Sequence, residues 1–293
     1  MKFFPLSIVI LVFCSASFAQ NPNVTLVANV NDYPTIGYND CWGYAAPDGR
    51  EYALLGVRNG TSIIDITDPS NSAEVAFISS NFSTWKDIKT YQNYAYVVNE
   101  SGGGLQIIDL SNLPDSATLT ATYNGFSTSH NIYIDEIAGI LYAEGNSSEP
   151  VRVLSLADPL NPVQISSFGI ECHDIYAQDS VAFVSEGTMG SFGIYDMSNP
   201  ASPTFLQRIN VPSAGYCHNA WLTEDGNHLI TTEETSEKTA KMWNIQDINN
   251  IALVDEYLGG SGLAHNAMIT DEYVYLSHYE SGLKVLDIAT QTD

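Results

Sequence analysis

Six times along this 293-residue chain the same phrase returns. A bulky or basic residue stands beside Asp, Asn or Gly, an apolar β-rich run follows, and a second such run ends on a polar residue. The phrases open at Trp42-Gly43, Lys86-Asp87, His130-Asn131, His173-Asp174, His218-Asn219 and His265-Asn266, so the steps between them are 44, 44, 43, 45 and 47 residues. A period of roughly 40–47 residues made of several short strands predicts a blade repeat, in which each unit buries its faces only by stacking on its neighbours. The expected fold is all-β: a propeller of four-stranded antiparallel blades, six of them in this chain.

The fourth repeat shows the pattern within a blade. His173-Asp174-Ile175-Tyr176-Ala177 leads through a polar turn to Val181-Ala182-Phe183-Val184-Ser185-Glu186, which reads as a hairpin. Phe192-Gly193-Ile194-Tyr195-Asp196 and a segment from Pro203 to Ile209 complete strands A to D. The turn after strand C recurs as Asp65-Ile66-Thr67-Asp68-Pro69, Asp109-Leu110-Ser111-Asn112 and Asp196-Met197-Ser198-Asn199-Pro200, where Asp or Asn caps its own backbone and Pro stops the strand. Strand D is expected at 73–79, 117–123, 162–168, 203–209 and 251–258. The sixth repeat has none, so residues 23–30 read as an orphan strand D that completes the last blade and hides its edge. A truncated copy of a longer array is the alternative.

Met1-Lys2, the apolar run Leu6 to Phe13 and the small residues of Ser17-Phe18-Ala19 predict a signal peptide over 1–19, leaving 20–293 as one propeller domain. The apolar run is too short to span a bilayer, which needs about 20 residues. Ten basic residues against 34 acidic ones give a net charge of −24, which repels polyanions at long range, so nucleic acid and anionic lipid are poor partners and no nucleic-acid partner is expected. The expectation is a secreted or cell-surface monomer without membrane insertion. Its three remaining cysteines, Cys41, Cys172 and Cys217, each precede a repeat opening. A Cys172–Cys217 disulfide is one reading; the other, preferred, is that a small residue suits this spot, as Trp85, Ser129 and Ala264 fill it elsewhere.

Ser62-Ile63-Ile64-Asp65, Leu105-Gln106-Ile107-Ile108-Asp109 and Leu283-Lys284-Val285-Leu286-Asp287 resemble the LVIVD repeat, and the whole arrangement is similar to the choice-of-anchor B family. The resemblance implies a β-propeller exported by a Gram-negative bacterium and held at the cell surface by a variable C-terminal segment. It also implies a further, seventh repeat before that anchor, and it implies no biochemical activity.

Because the strands of a blade run antiparallel with A innermost, the start of A and the end of B share one face. Trp42, Lys86, His130, His173, His218 and His265 open strand A; Glu100, Glu144, Glu186, Glu233 and His278 close strand B. Imidazole with carboxylate is the donor set of zinc, manganese or iron, so His130, His173, His218, His265, Glu144, Glu186, Glu233 and His278 are candidate ligands of a divalent transition metal. Repetition in every blade also fits scaffolding, in which each His fixes the loop between blades. Asp87, Asn131, Asp174, Asn219 and Asn266 read as strand-start caps.

Two function classes follow. One is a binding module whose mouth, with Trp42, Trp85, Lys86 and Glu100, captures an extracellular protein, a glycan or a small ligand. The other is a metal-dependent hydrolase or lyase with Glu186 or Glu233 as general base. The even spread of polar residues favours binding, and whether the chain is an enzyme stays open.

Overall fold

The computed structural model describes residues 24–258 and 263–289, so the signal peptide read at 1–19 lies outside the described residues. Twenty-three strands form six antiparallel sheets in chain order, five with four strands and the sixth with three. The chain is a β-propeller. Blade four is representative: Asp174–Gln178 pairs with Val181–Ser185, that with Ser191–Asp196, and that with Thr204–Asn210. The inner strands Tyr38–Ala45, Lys86–Tyr91, Ile132–Asp135, Asp174–Gln178, Cys217–Leu222 and Ala267–Thr270 contact one another in that order around the channel.

Burial follows from stacking. Middle strands are enclosed on both faces by neighbouring blades, so Gly60–Asp65 and Tyr94–Asn99 are buried almost throughout instead of alternating. Five hydrophobic clusters each bridge two consecutive blades. Between blades four and five, for example, Phe183, Phe192 and Ile194 meet Leu222, Leu229 and Trp243.

In each four-stranded blade the outer strand carries one extra residue opposite strand C, at Val75, Thr120, Ile165, Leu206 and Val254. A bulge there adds twist and roughens the exposed edge against pairing with another chain. The caps read after strand C are present: Asp65, Asp109 and Asp196 accept from the backbone N–H two residues on, at 2.8–2.9 Å.

Three expectations need correction. Residues 24–30 lie in no strand, and the sixth sheet remains three-stranded among the described residues. Blade one is phased differently from the reading above. Its equivalent of Lys86-Asp87 is Asn39-Asp40, because Asp40 accepts from the N–H of Ile88 (2.8 Å) as Asp87 accepts from that of Ile132 (2.6 Å). Cys41 therefore matches Ile88 and not Cys172. Cys41, Cys172 and Cys217 are all free thiols.

Asp and Asn residues beside the opening residues of blades one to five join neighbouring blades. Besides Asp40 and Asp87, Asn131 donates to the carbonyl of His173 (2.9 Å), and Asn219 donates to Asp174 (2.8 Å) while accepting from the N–H of Ala267 (2.9 Å). Inner strands of different blades share no β-ladder, so without these side chains their backbone groups would be buried unpaired. Asn219→Ala removes two such bonds and orphans a buried donor. It is expected to lower the unfolding free energy in urea by about 2–4 kcal/mol, against under about 1 kcal/mol for Asn249→Ala in an exposed turn.

Candidate functional site

Joining the blades at equal intervals also aligns the residues that open them. His130, His173, His218 and His265 form one ladder across blades three to six, with ring centroids 4.8, 4.1 and 4.1 Å apart. Tyr216 meets His173 edge-on at 5.1 Å, and Tyr279 meets His265 likewise at 5.2 Å. Burial and neighbouring imidazoles push the pKa of His173 down to about 4 and that of His218 well below the ordinary imidazole value. His265 is lowered by burial too, against the pull of Glu234. The inner rungs are thus neutral imidazoles at pH 7, the form that binds metals.

Carboxylates meet this ladder at two places. At one end Glu100 lies 2.6 Å from His130 Nδ1, beside half-exposed Trp85, whose ring meets His130 at 6.2 Å. At the other, Glu234 bridges His218 and His265, its oxygens 3.6 and 3.8 Å from their Nε2 atoms, while the Tyr279 hydroxyl donates to the same carboxylate. One donor atom from each of His218, Glu234 and His265 falls within 4.8 Å of the others.

Among the remaining candidates, Glu144 lies beside the ladder, whereas Glu186 and Glu233 have other partners. Glu186 is fully buried, accepting from Arg208 Nε (2.6 Å), Arg208 Nη2 (2.8 Å) and the Ser191 hydroxyl (2.6 Å). Glu233 is likewise buried, paired with Lys241 and accepting from the N–H of Gly215 at 2.5 Å. Neither reaches the ladder, so neither stands where a general base or ladder ligand was expected. Glu144 accepts from the N–H of His130 (3.0 Å), and burial lifts its pKa to about 7. His278 is buried, with the Tyr257 ring at 6.4 Å and no hydrogen bond on either ring nitrogen.

Trp42 lies away from the ladder. It lines a cavity of about 430 Å³ at the far end of the channel with Tyr44, Thr90, Gln92, Glu136 and Met268. Its indole donates to Thr90 (3.1 Å) and carries the Lys89 ammonium over its face at 4.6 Å. Lys86 turns between blades one and two, onto Gly60 O and Ser80.

Glu234 is the residue that sequence reading missed. Its signal was the doublet Glu233-Glu234, since successive strand residues point to opposite faces. Glu233 goes inward to Lys241 and Glu234 toward the imidazoles.

Two outcomes test this assignment. Glu186→Leu strands Arg208 and is expected to cost about 3 kcal/mol in urea unfolding, the low end for a broken buried pair because Arg208 is partly exposed; adding Arg208→Met should recover most of it. Asp174 offers a pH test, because burial lifts its pKa to about 6. The fold holds its proton more tightly than the unfolded chain, where an aspartate titrates near about 3.9. Its contribution is therefore present below pH ~4 and lost as pH rises through 6. Relative to wild type, Asp174→Asn should gain about 1–3 kcal/mol of stability between pH 4 and pH 7, measured by denaturant titration.

Residues 50–78, 84–124 and 181–211 match the LVIVD repeat. No curated protein matches the sequence. Among solved structures the chain is similar to a functionally unknown protein from Desulfotomaculum acetoxidans DSM 771, with 17% identity and a TM-score of 0.66 over 86% of this chain and 83% of that one. The periplasmic gluconolactonase of Pseudomonas aeruginosa aligns with 13% identity and a TM-score of 0.67 over 84% and 80%. The β-propeller domain of Cps50 from Myceliophteria thermophila aligns with 12% identity and a TM-score of 0.60 over 82% and 80%. At these identities the likeness is one of fold.

Proposed function

We propose that this chain is an exported binding propeller that anchors its ligand through a divalent transition metal held by His218, Glu234 and His265. The observation that carries this reading is the convergence of three donor atoms from two blades within 4.8 Å. Tetrahedral zinc, with bonds of about 2.0–2.2 Å, sets its ligand atoms roughly 3.3–3.5 Å apart. The separations of 3.6 Å from Glu234 Oε2 to His218 and 3.8 Å from Glu234 Oε1 to His265 are a few tenths of an ångström wider, and since the three donor atoms spread over as much as 4.8 Å the side chains would close by roughly an ångström around one ion. Two neutral imidazoles and one carboxylate neutralise part of the ion's charge and leave a coordination position for a ligand oxygen or nitrogen. Tyr216, Tyr279 and Trp85 offer ring faces near the ladder, which suits a small ligand, a glycan or a protein side chain.

Metal-dependent hydrolysis or lyase chemistry is the second reading, supported by Glu144, whose pKa near 7 beside His130 is that of a usable base. Binding ranks first because Glu186 and Glu233, the carboxylates best placed in sequence to serve as bases, are consumed by Arg208 and Lys241. The signal peptide read at 1–19 and the likeness to a periplasmic gluconolactonase support a location outside the cytoplasm.

Elemental analysis by mass spectrometry tests the metal. About one equivalent of zinc, manganese or iron per chain is expected, lost on chelation and in His218→Ala/His265→Ala. Glu234→Gln should weaken the metal by more than the roughly 10–100-fold lost with an outer-shell partner. Well-folded protein that takes up none of these metals overturns the reading.

A further inference from the structure

Among the described residues, the buried cations have carboxylate partners, with one exception. Lys89 pairs with Asp87 at 2.5 Å, Lys241 with Glu233, Arg208 with Glu186 at 2.6 Å and Arg152 with Glu149 at 3.7 Å. Lys86 is 5% exposed, yet among the described residues its ammonium meets only neutral oxygens, the carbonyl of Gly60 (3.1 Å) and the hydroxyl of Ser80. An ammonium has three protons to donate, and an unpaired buried charge costs several kcal/mol. Burial alone lowers its pKa to about 8, so it remains mostly a cation at pH 7. In a chain of net charge −24, a buried lysine with no carboxylate partner among the described residues is a feature that folding does not require.

Ser80, which accepts from Lys86, lies in the wall of a cavity of about 380 Å³ between blades one and two. Asn81, Asn99, Gly102, Gly103 and Gln106 line the same space, with no carboxylate among them. Lys86 stands directly across the strand pair from Asn99. Three features prepare this wall for a ligand that both donates and accepts. The Ser80 hydroxyl is polarised by the ammonium, and its own acceptor, the carbonyl of Asn81, is a long 3.3 Å away. Gln106 Oε1 is buried without a donor, although its amide N–H reaches Ser79 O at 3.3 Å. The rim is held in place by Asn81, which donates to Gly102 O at 3.0 Å.

We propose that this cavity binds a small polyhydroxylated monocarboxylate, whose carboxylate answers Lys86 through the Ser80 wall and whose hydroxyls pair with the Asn and Gln amides. One buried cation matches one negative charge. A phosphate dianion would call for an arginine fork or several cations, which the lining lacks. Neutral amides, a hydroxyl and an acceptor in need of a donor are the groups that recognise sugar-type hydroxyls. This site involves blades one and two and stands apart from the metal reading, which involves blades five and six.

Isothermal titration of chelator-treated protein with D-glucuronate at pH 7 is the test, with D-glucose lacking the carboxylate and acetate lacking the hydroxyls. Glucuronate is expected to bind at least tenfold more tightly than either. Lys86→Met, which removes an unpaired buried charge, should fold at least as well and lose at least tenfold in affinity. Gln106→Leu, which leaves the lysine in place, should also weaken binding. No binding of glucuronate, equal binding of glucose, or unchanged affinity in a folded Lys86→Met would overturn the proposal. Because the protein is metal-free in this experiment, failure of the metal site does not touch its outcome.

Discussion

A side-chain oxygen handed by one inner strand to the backbone of the next is the contact on which this ring depends. Hydrophobic clusters hold blade against blade, but such packing tolerates sliding, whereas a hydrogen bond to a particular N–H does not. Asp40 to Ile88, Asp87 to Ile132 and Asn219 to Ala267 therefore set the angle and height of each blade relative to its neighbour. The residue just before each of these groups inherits that regularity. The imidazole ladder is the consequence: four rings in line because four strands are locked at equal steps.

The same device concentrates acid along the channel, and the protein offsets it locally. Lys89 lies within reach of Asp87, under the field of Asp40 and Asp174, and on the face of Trp42. Asp174 and Asp40 nonetheless have raised pKa values, chiefly through burial, with repulsion between carboxylates adding to it. Farther out in the blades, buried carboxylates take Arg208 and Lys241 as partners from strands C and D. Scaffolding and site are thus not competing accounts of the histidines. Stitching by Asp and Asn positions them, and Glu100 and Glu234 face imidazole where Glu186 and Glu233 face arginine and lysine.

Much of this was open to reading in the sequence because it repeats. The period, the caps after strand C and the placement of His130, His173, His218 and His265 at one level follow from local chemistry copied blade by blade. Blade one was misread by three residues because Trp42-Gly43 imitates the opening phrase, while the side chain that makes the inter-blade bond is Asp40. The outer-strand bulges were invisible, since an extra residue in strand D changes no composition and appears only against the register of strand C.

The sequence by itself determined the propeller, its six units and the identity of the polar residues at each blade's inner end, all of which depend on short-range pattern. Only the tertiary structure decided which of those residues meet. Glu233 and Glu234 are neighbours in the chain and point to opposite faces, one to Lys241 and one to His218 and His265. Lys86 shares a repeat position with the histidines and turns instead toward Gly60 and Ser80 of the preceding blade. Direction and partnership are set by strand register and by what a neighbouring blade supplies, and neither is encoded in the spacing of residues along one strand.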